Sequence, residues 1–348
     1  MRLANTSDRQ KQKTIDAAKA HLEAVAVERT CYRDACKASW EKLKATFTNS
    51  DGVLEAPSPS SHTTPASHKM EVHYSFDMAQ QVHYPSDPLQ PGPIYFLTPR
   101  KCGIFGVCCE AIPRQVTYLI DEAYNVGKGA NSIISMLHHF FEVHGLGETS
   151  AHLHADNCTG QNKNRFMMYY LMWRCMTGLH DHITISFLLV GHTKFAPDWC
   201  FGLLKQSFRR TKIGDLEDIA NCVAQSSFVN IPQLIGSLDG TMFVPTYDWS
   251  SFFEETTVKT ALKGITQLHH FRFSKLHPGK VFVKEARNSN EREINLLKDV
   301  SWRPSSQQLP LPVIPNGLSQ ERQYLYDKIR EFCPEQKKDI VYPRPLSI

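Results

Sequence analysis

From Thr14 to Phe47 the positions Ile15, Ala18, Leu22, Val25, Arg29, Tyr32, Cys36, Trp40, Leu43 and Phe47 recur at steps of three and four, with charges on the other faces. That is the period of one helix face, so residues 1–48 are expected to hold a long amphipathic helix that docks on a core or pairs with another chain. Residues 49–69, rich in Ser, Pro and Thr, are expected to be a linker. Glu71 to Asp77 carries aromatic and β-branched residues and predicts a strand, while Pro85, Pro88, Pro91 and Pro93 make the next stretch a loop. Segments 104–112 and 115–121 predict two further strands, separated at Pro113 and Arg114.

Asn131 or Ser132 is placed to cap a helix whose inner side carries Ile133, Ile134, Leu137, Phe140, Phe141 and His144, stopped at Gly145. Ala151 to Asp156 predicts a short strand, and Gln161 to Thr177 a helix that is apolar nearly all round and therefore buried. The run ITISFLLV at 183–190 predicts a strand covered on both faces, and a last helix follows from Asp198 to Arg210. The order β-β-β-α-β-α-β-α predicts a mixed α/β sheet with helices on both faces, spanning 70–228. Residues 229–348, with the short strand-like segments TMFVPTYDW, HHFRFSK and GKVFVKEA and a Pro-rich tail, are expected to form a small separate β-rich appendage.

With 41% hydrophobic and 21% charged residues among 348, the composition is that of a folded protein with one sizeable core plus additions. The net charge of +4 permits nucleic-acid binding without demanding it. No apolar run reaches the roughly 18 to 20 residues of a membrane helix, and the first residues lack the apolar core of a signal peptide, so an intracellular protein with no membrane partner is expected. The ten cysteines show no CxxC spacing suited to zinc and are expected to be reduced.

In open α/β sheets functional groups collect where the carboxyl ends of strands converge. Asp77 ends the first predicted strand, Asp156 ends the fourth, and Asp198 begins the helix after the fifth. Three converging carboxylates repel one another unless cations sit among them, and two Mg²⁺ or Mn²⁺ ions prefer such hard oxygen ligands. Two ions so held activate a water or a 3′ hydroxyl and stabilise the leaving oxygen of a phosphodiester. On the last predicted helix Asp198, Lys205 and Arg209 share a side; with Lys163, Arg165, Lys194, Arg210 and Lys212 they form a candidate phosphate-binding face for DNA. Asn157, Gln161 and His192 are candidate supporting residues.

The motifs HLHADNCTGQNKNRF at 152–166 and GHTKFAPDWCFGLLKQ at 191–206, with Asp77 in HYSFDMAQQVHYP, resemble the RNase H-like DDE/D transposases and integrases. The likeness is particularly to an uncharacterised transposon-derived domain family of animal genomes, over about residues 70–345. The resemblance implies an RNase H-like fold, a DDD-type nuclease or transposase acting on DNA, and a nuclear location. Many such enzymes carry Glu as the third acid, so Asp198 departs from the pattern and Glu217 is the other candidate. Two other readings stand beside it. A transposon-derived domain can keep the fold as a catalytically inactive nucleic-acid or protein binding module. Alternatively His152, His154 and Asp156, alternating along one strand, form half of a metallohydrolase site.

Overall fold

The computed structural model describes residues 7–55, 63–89, 92–189, 191 and 194–343. In chain order the principal elements are α1 (Asp8–Phe47), β1 (His68–Tyr84), β2 (Arg100–Cys109), β3 (Arg114–Asp121), α2 (Ala130–Val143) and β4 (Glu148–Ala155). Then come α3 (Arg165–Met176), β5 (His182–Phe187), α4 (Ala196–Phe208), α5 (Leu216–Ser226), β6 (Asn230–Leu234) and α6 (Trp249–Glu254). The chain finishes with β7 (His270–Ser274), β8 (Lys280–Lys284), β9 (Arg292–Asn295), α7 (Gln320–Tyr326) and α8 (Lys338–Val341).

Among the described residues all nine strands join one mixed sheet in the order β6-β3-β2-β1-β4-β5-β7-β8-β9. β1, β4 and β5 run parallel, β2 is antiparallel to both its neighbours, and β7, β8 and β9 follow β5 as an antiparallel meander. The expected separate appendage is thus corrected: β6 pairs in parallel with β3 at one edge, and β7 pairs with β5 at the other. The physical reason is that a sheet edge presents unpaired N–H and C=O groups, and short strands reach stability by completing them. The segment TMFVPTYDW, expected as a strand, contributes only isolated bridges before α6. Among the described residues no helix is long and apolar enough to cross a membrane.

Alternation along the strands separates two faces. Val72, Tyr74, Phe76, Leu153, Ile183 and Ile185 look toward α2, α3 and α6 in the larger core, where α3 is buried almost all round as its near-continuous apolar sequence requires. The other face carries Ala79, Ile104 and Leu119 into a second core with α4, α5 and the 326–342 segment. α1 lies over β1 on this second face, its Ser39 accepting the backbone N–H of His73 at 2.8 Å. Val25, Glu28, Ser39 and Leu43 are its buried positions, while Ile15 and Leu22 are 42% and 58% exposed.

β1 is longer than its sequence suggests: it continues past Asp77 to Tyr84 with a register shift between Ala79 and Val82. Asp77 is therefore inside a strand, held there by pairing opposite Gly106 of β2. Gly106 itself admits α4, because an added Cβ would lie 2.8 Å from the Phe201 ring and from Gln115 Cδ. Gly106→Ala is expected to cost about 1–3 kcal/mol in urea unfolding, by overpacking against Phe201. Gly106→Ala with Phe201→Leu should recover part of that loss; no recovery would place the cost elsewhere.

Candidate functional site

Phe76 pairs with Ala155 in the parallel register of β1 and β4, which carries Asp77 and Asp156 to facing positions one residue on. Adjacent strands lie about 4.8 Å apart and registered neighbours point to one face, so these two carboxylates are juxtaposed by backbone geometry alone. Both are partly buried. Asp77 Oδ1 accepts the Met78 N–H at 2.8 Å; Asp156 Oδ1 accepts the Cys158 N–H at 3.1 Å and the Asn162 amide at 2.6 Å. These bonds fall on Oδ1 in each case. Burial, followed by the charges of Asp156 and then Asp198, pushes the Asp77 carboxyl up to about 7, against the opposing Met78 N–H.

Asp198 is the third residue of α4 rather than its start, and it is exposed. Its Oδ2 accepts the N–H of the N-cap residue Phe195 at 3.1 Å, so it takes part in capping the start of its own helix. Its charge reaches Asp77, yet among the described residues no group of three or more His, Cys, Asp or Glu side chains is arranged to hold one ion. The structure thus brings two of the three acids side by side and leaves the third at the rim. Glu217 is exposed on α5, and His192 lies outside the described residues.

The turn after Asp156 is built by its own amides. Asn157 donates to the Leu188 carbonyl, tying the turn to the exit of β5, and Asn164 caps α3 by accepting the Met167 N–H at 3.0 Å. Gln161 takes part through its backbone, donating to the Cys158 carbonyl at 3.2 Å and accepting from the Asn164 amide at 2.9 Å. Lys163, expected on a phosphate-binding face, is instead 1% exposed. Its ammonium donates to Asn157 Oδ1 at 2.9 Å and the Thr266 carbonyl at 3.0 Å, and burial pulls it down to about 8. It fastens the Asp156 turn and is not available to DNA. Arg165 lies over the Phe166 ring at 4.7 Å; Lys194, Arg209 and Arg210 are exposed, and Lys205 is half-buried. The Arg209 end of α4 lies about 16 Å along the helix from Asp198.

His152 and His154 share the face of Asp156, as their alternation predicts. Their nitrogens, however, are engaged: His152 Nε2 meets Ser186 Oγ at 3.4 Å, and His154 Nδ1 meets His73 Nε2 at 2.7 Å. His154 and His73 are buried beneath α1, whose Tyr32 ring stands edge-on to both. Tyr32 and Ser75 donate to Glu110, and burial holds its carboxyl above the ordinary value. This polar layer, continued by Ser186, His270 and Glu28, was missed in the sequence. Its signal was present: Glu71, His73, Ser75 and Asp77 alternate with Val72, Tyr74 and Phe76. β5 shows the same one-sided pattern, Thr184 and Ser186 on the polar face, so it is not apolar on both sides as expected.

A protein-family model described as a domain of unknown function, DUF7869, matches residues 98–291, more than half of the 348. Asp156 and Asp198 fall within the match and Asp77 outside it. No curated protein and no solved structure matches the chain.

Proposed function

We propose that this chain, which belongs to the DUF7869 domain family, is a divalent-cation-dependent phosphodiester-cleaving or strand-joining domain of RNase H-like type that acts on DNA. The observation that carries the reading is the placement of Asp77 and Asp156 at facing positions on adjacent parallel strands. The succession β-β-β-α-β-α-β-α and the spatial order β3-β2-β1-β4-β5, with β2 reversed, support the fold assignment.

Two carboxylates suit a Mg²⁺ or Mn²⁺ ion, which typically takes one or two carboxylates beside water and phosphate oxygens. The pair therefore fits one ion; a second requires Asp198 to leave its cap. A bound ion of this kind supplies Lewis acidity, activating water or a hydroxyl and offsetting phosphodiester charge. The chain's own part is orientation. The Asn162 amide and Cys158 N–H fix Asp156 through Oδ1, and Lys163 locks Asn157 behind it. The exposed Lys194, Arg209 and Arg210 would attract the DNA backbone without reading sequence. Pairing of two chains through the exposed Ile15 and Leu22 stretch of α1 belongs to the same reading.

The capped state of Asp198 favours one second reading, a domain that keeps the fold and binds partners without catalysis. Purified protein with labelled duplex and Mn²⁺ separates the two. Metal-dependent cleavage or joining is expected for the native chain and a loss of more than about a hundredfold for Asp156→Asn. Equal product from the variant, or none from either, favours the binding module.

A further inference from the structure

The polar face of the sheet is organised in rows across the strands. One row runs His73, His152, Thr184, Arg272, Phe282, and the next Ser75, His154, Ser186, His270, Lys284. α1 covers the β1 side of these rows, whereas on the β4 to β8 side a cavity of about 390 Å³ remains. Its walls include His152, Thr184, Ser186, Lys284 and Arg287. Along β4 it lies roughly 13 Å from Asp156, four residues away at strand rise.

The charges around it are unevenly committed. Glu71 meets Lys42 at 3.4 Å, and Glu291 meets Arg272, whose guanidinium also lies 4.0 Å from the Phe282 ring. On the α1 side, Glu28 meets His270 at 2.9 Å. Among the described residues Lys284 and Arg287 form no close ion pair, although the Lys284 charge acts on Glu291 and the Arg287 charge on Glu28. Burial, and next the Arg287 charge, holds His152 down to about 3, so it enters the cavity wall as a neutral imidazole. The concavity therefore offers two cations outside any close ion pair, the Thr184 hydroxyl and the edge of a neutral His152 ring whose Nε2 already meets Ser186 Oγ. A guanidinium fork beside an ammonium matches a dianion with several oxygens.

We propose that this cavity binds a small phosphate monoester, with Arg287 and Lys284 on its phosphate oxygens and Thr184 and the His152 ring as neutral partners. The site stands apart from the acid pair and needs no catalysis there. Calorimetric titration of the full chain at constant ionic strength, with inorganic phosphate and with deoxyadenosine 5′-monophosphate, is expected to show saturable binding. Deoxyadenosine itself is expected to show none. Tighter binding of the mononucleotide would assign the cavity to nucleotides, and equal binding to the phosphate group alone. Lys284→Ala with Arg287→Ala should weaken binding by roughly tenfold or more, with circular dichroism and melting unchanged. Asp156→Asn should leave it intact, which separates this site from the metal reading. Absence of saturable binding by both probes, equal affinity in the double variant, equal binding of the nucleoside, or loss in Asp156→Asn would each overturn the assignment.

Discussion

Asp77→Asn is expected to raise the melting temperature of the metal-free protein above pH 7 and to abolish any rise on adding Mg²⁺ or Mn²⁺. The folded protein holds this carboxyl near 7, against an ordinary value of 3.8, through burial and the adjacent Asp156. A group raised in this way contributes stability that is complete below pH 4 and is lost as pH climbs through about 7. At about 1.4 kcal/mol per pH unit across that window, the charged form costs about 2–4 kcal/mol once solvent screening is allowed for. Asparagine keeps an oxygen for the Met78 N–H and carries no charge, so it removes the cost at pH 8 and changes little at pH 4. In the native protein a cation bound at 100 times its dissociation constant would return about 2.7 kcal/mol. Melts at pH 4 and pH 8, with and without MnCl₂, test both halves. A variant less stable than native at pH 8 without metal would contradict the juxtaposed pair. A native protein indifferent to Mn²⁺ would remove the cation from the proposed function.

The second large effect lies at Arg100. The residue is 3% exposed; its guanidinium donates through Nε to Asp121 Oδ2 at 2.8 Å and reaches the Val341 carbonyl. Asp121 is fully buried and also accepts from Tyr84. Arg100→Met strands that carboxylate in a dry site, and breaking a buried pair from one side typically costs about 3–5 kcal/mol. The pair clamps the segment around Tyr342, whose hydroxyl donates to the Tyr84 carbonyl, while Arg322 holds Glu122 nearby. Limited proteolysis should therefore cut first between 318 and 343 in the variant. Arg100→Met with Asp121→Leu should recover much of the loss, because neither charge then remains unpaired. Stability unchanged in the single variant would show that the pair contributes nothing.

The strand-like runs of β1 and β4 drew Asp77 and Asp156 out of the sequence, because functional groups collect where the carboxyl ends of strands converge. What they did not show was where the strand stops. Aspartate is unfavourable in strands, so a strand reading ends at Asp77, whereas flanking pairs with β2 carry the backbone on to Tyr84. Asp198 illustrates a different ambiguity. An acid early in a helix serves equally as a metal ligand or as a cap, and only the Phe195 N–H contact distinguishes them. Lysine is rarely buried, so the sequence points Lys163 to the surface; one of its acceptors, the Thr266 carbonyl, lies 103 residues away along the chain. The edge strands β6 to β9 have four or five residues each, too few to encode which sheet they complete.

The bond from Arg100 to the Val341 carbonyl joins residues 241 apart in sequence. During synthesis, the apolar surface made by Ile104, Leu119, Phe201 and Leu204 must therefore wait uncovered while most of the chain is made. Until residues near Tyr326 and Tyr342 emerge, that patch is a natural ligand for chaperones and a route to aggregation, as expected when closure depends on distant contacts.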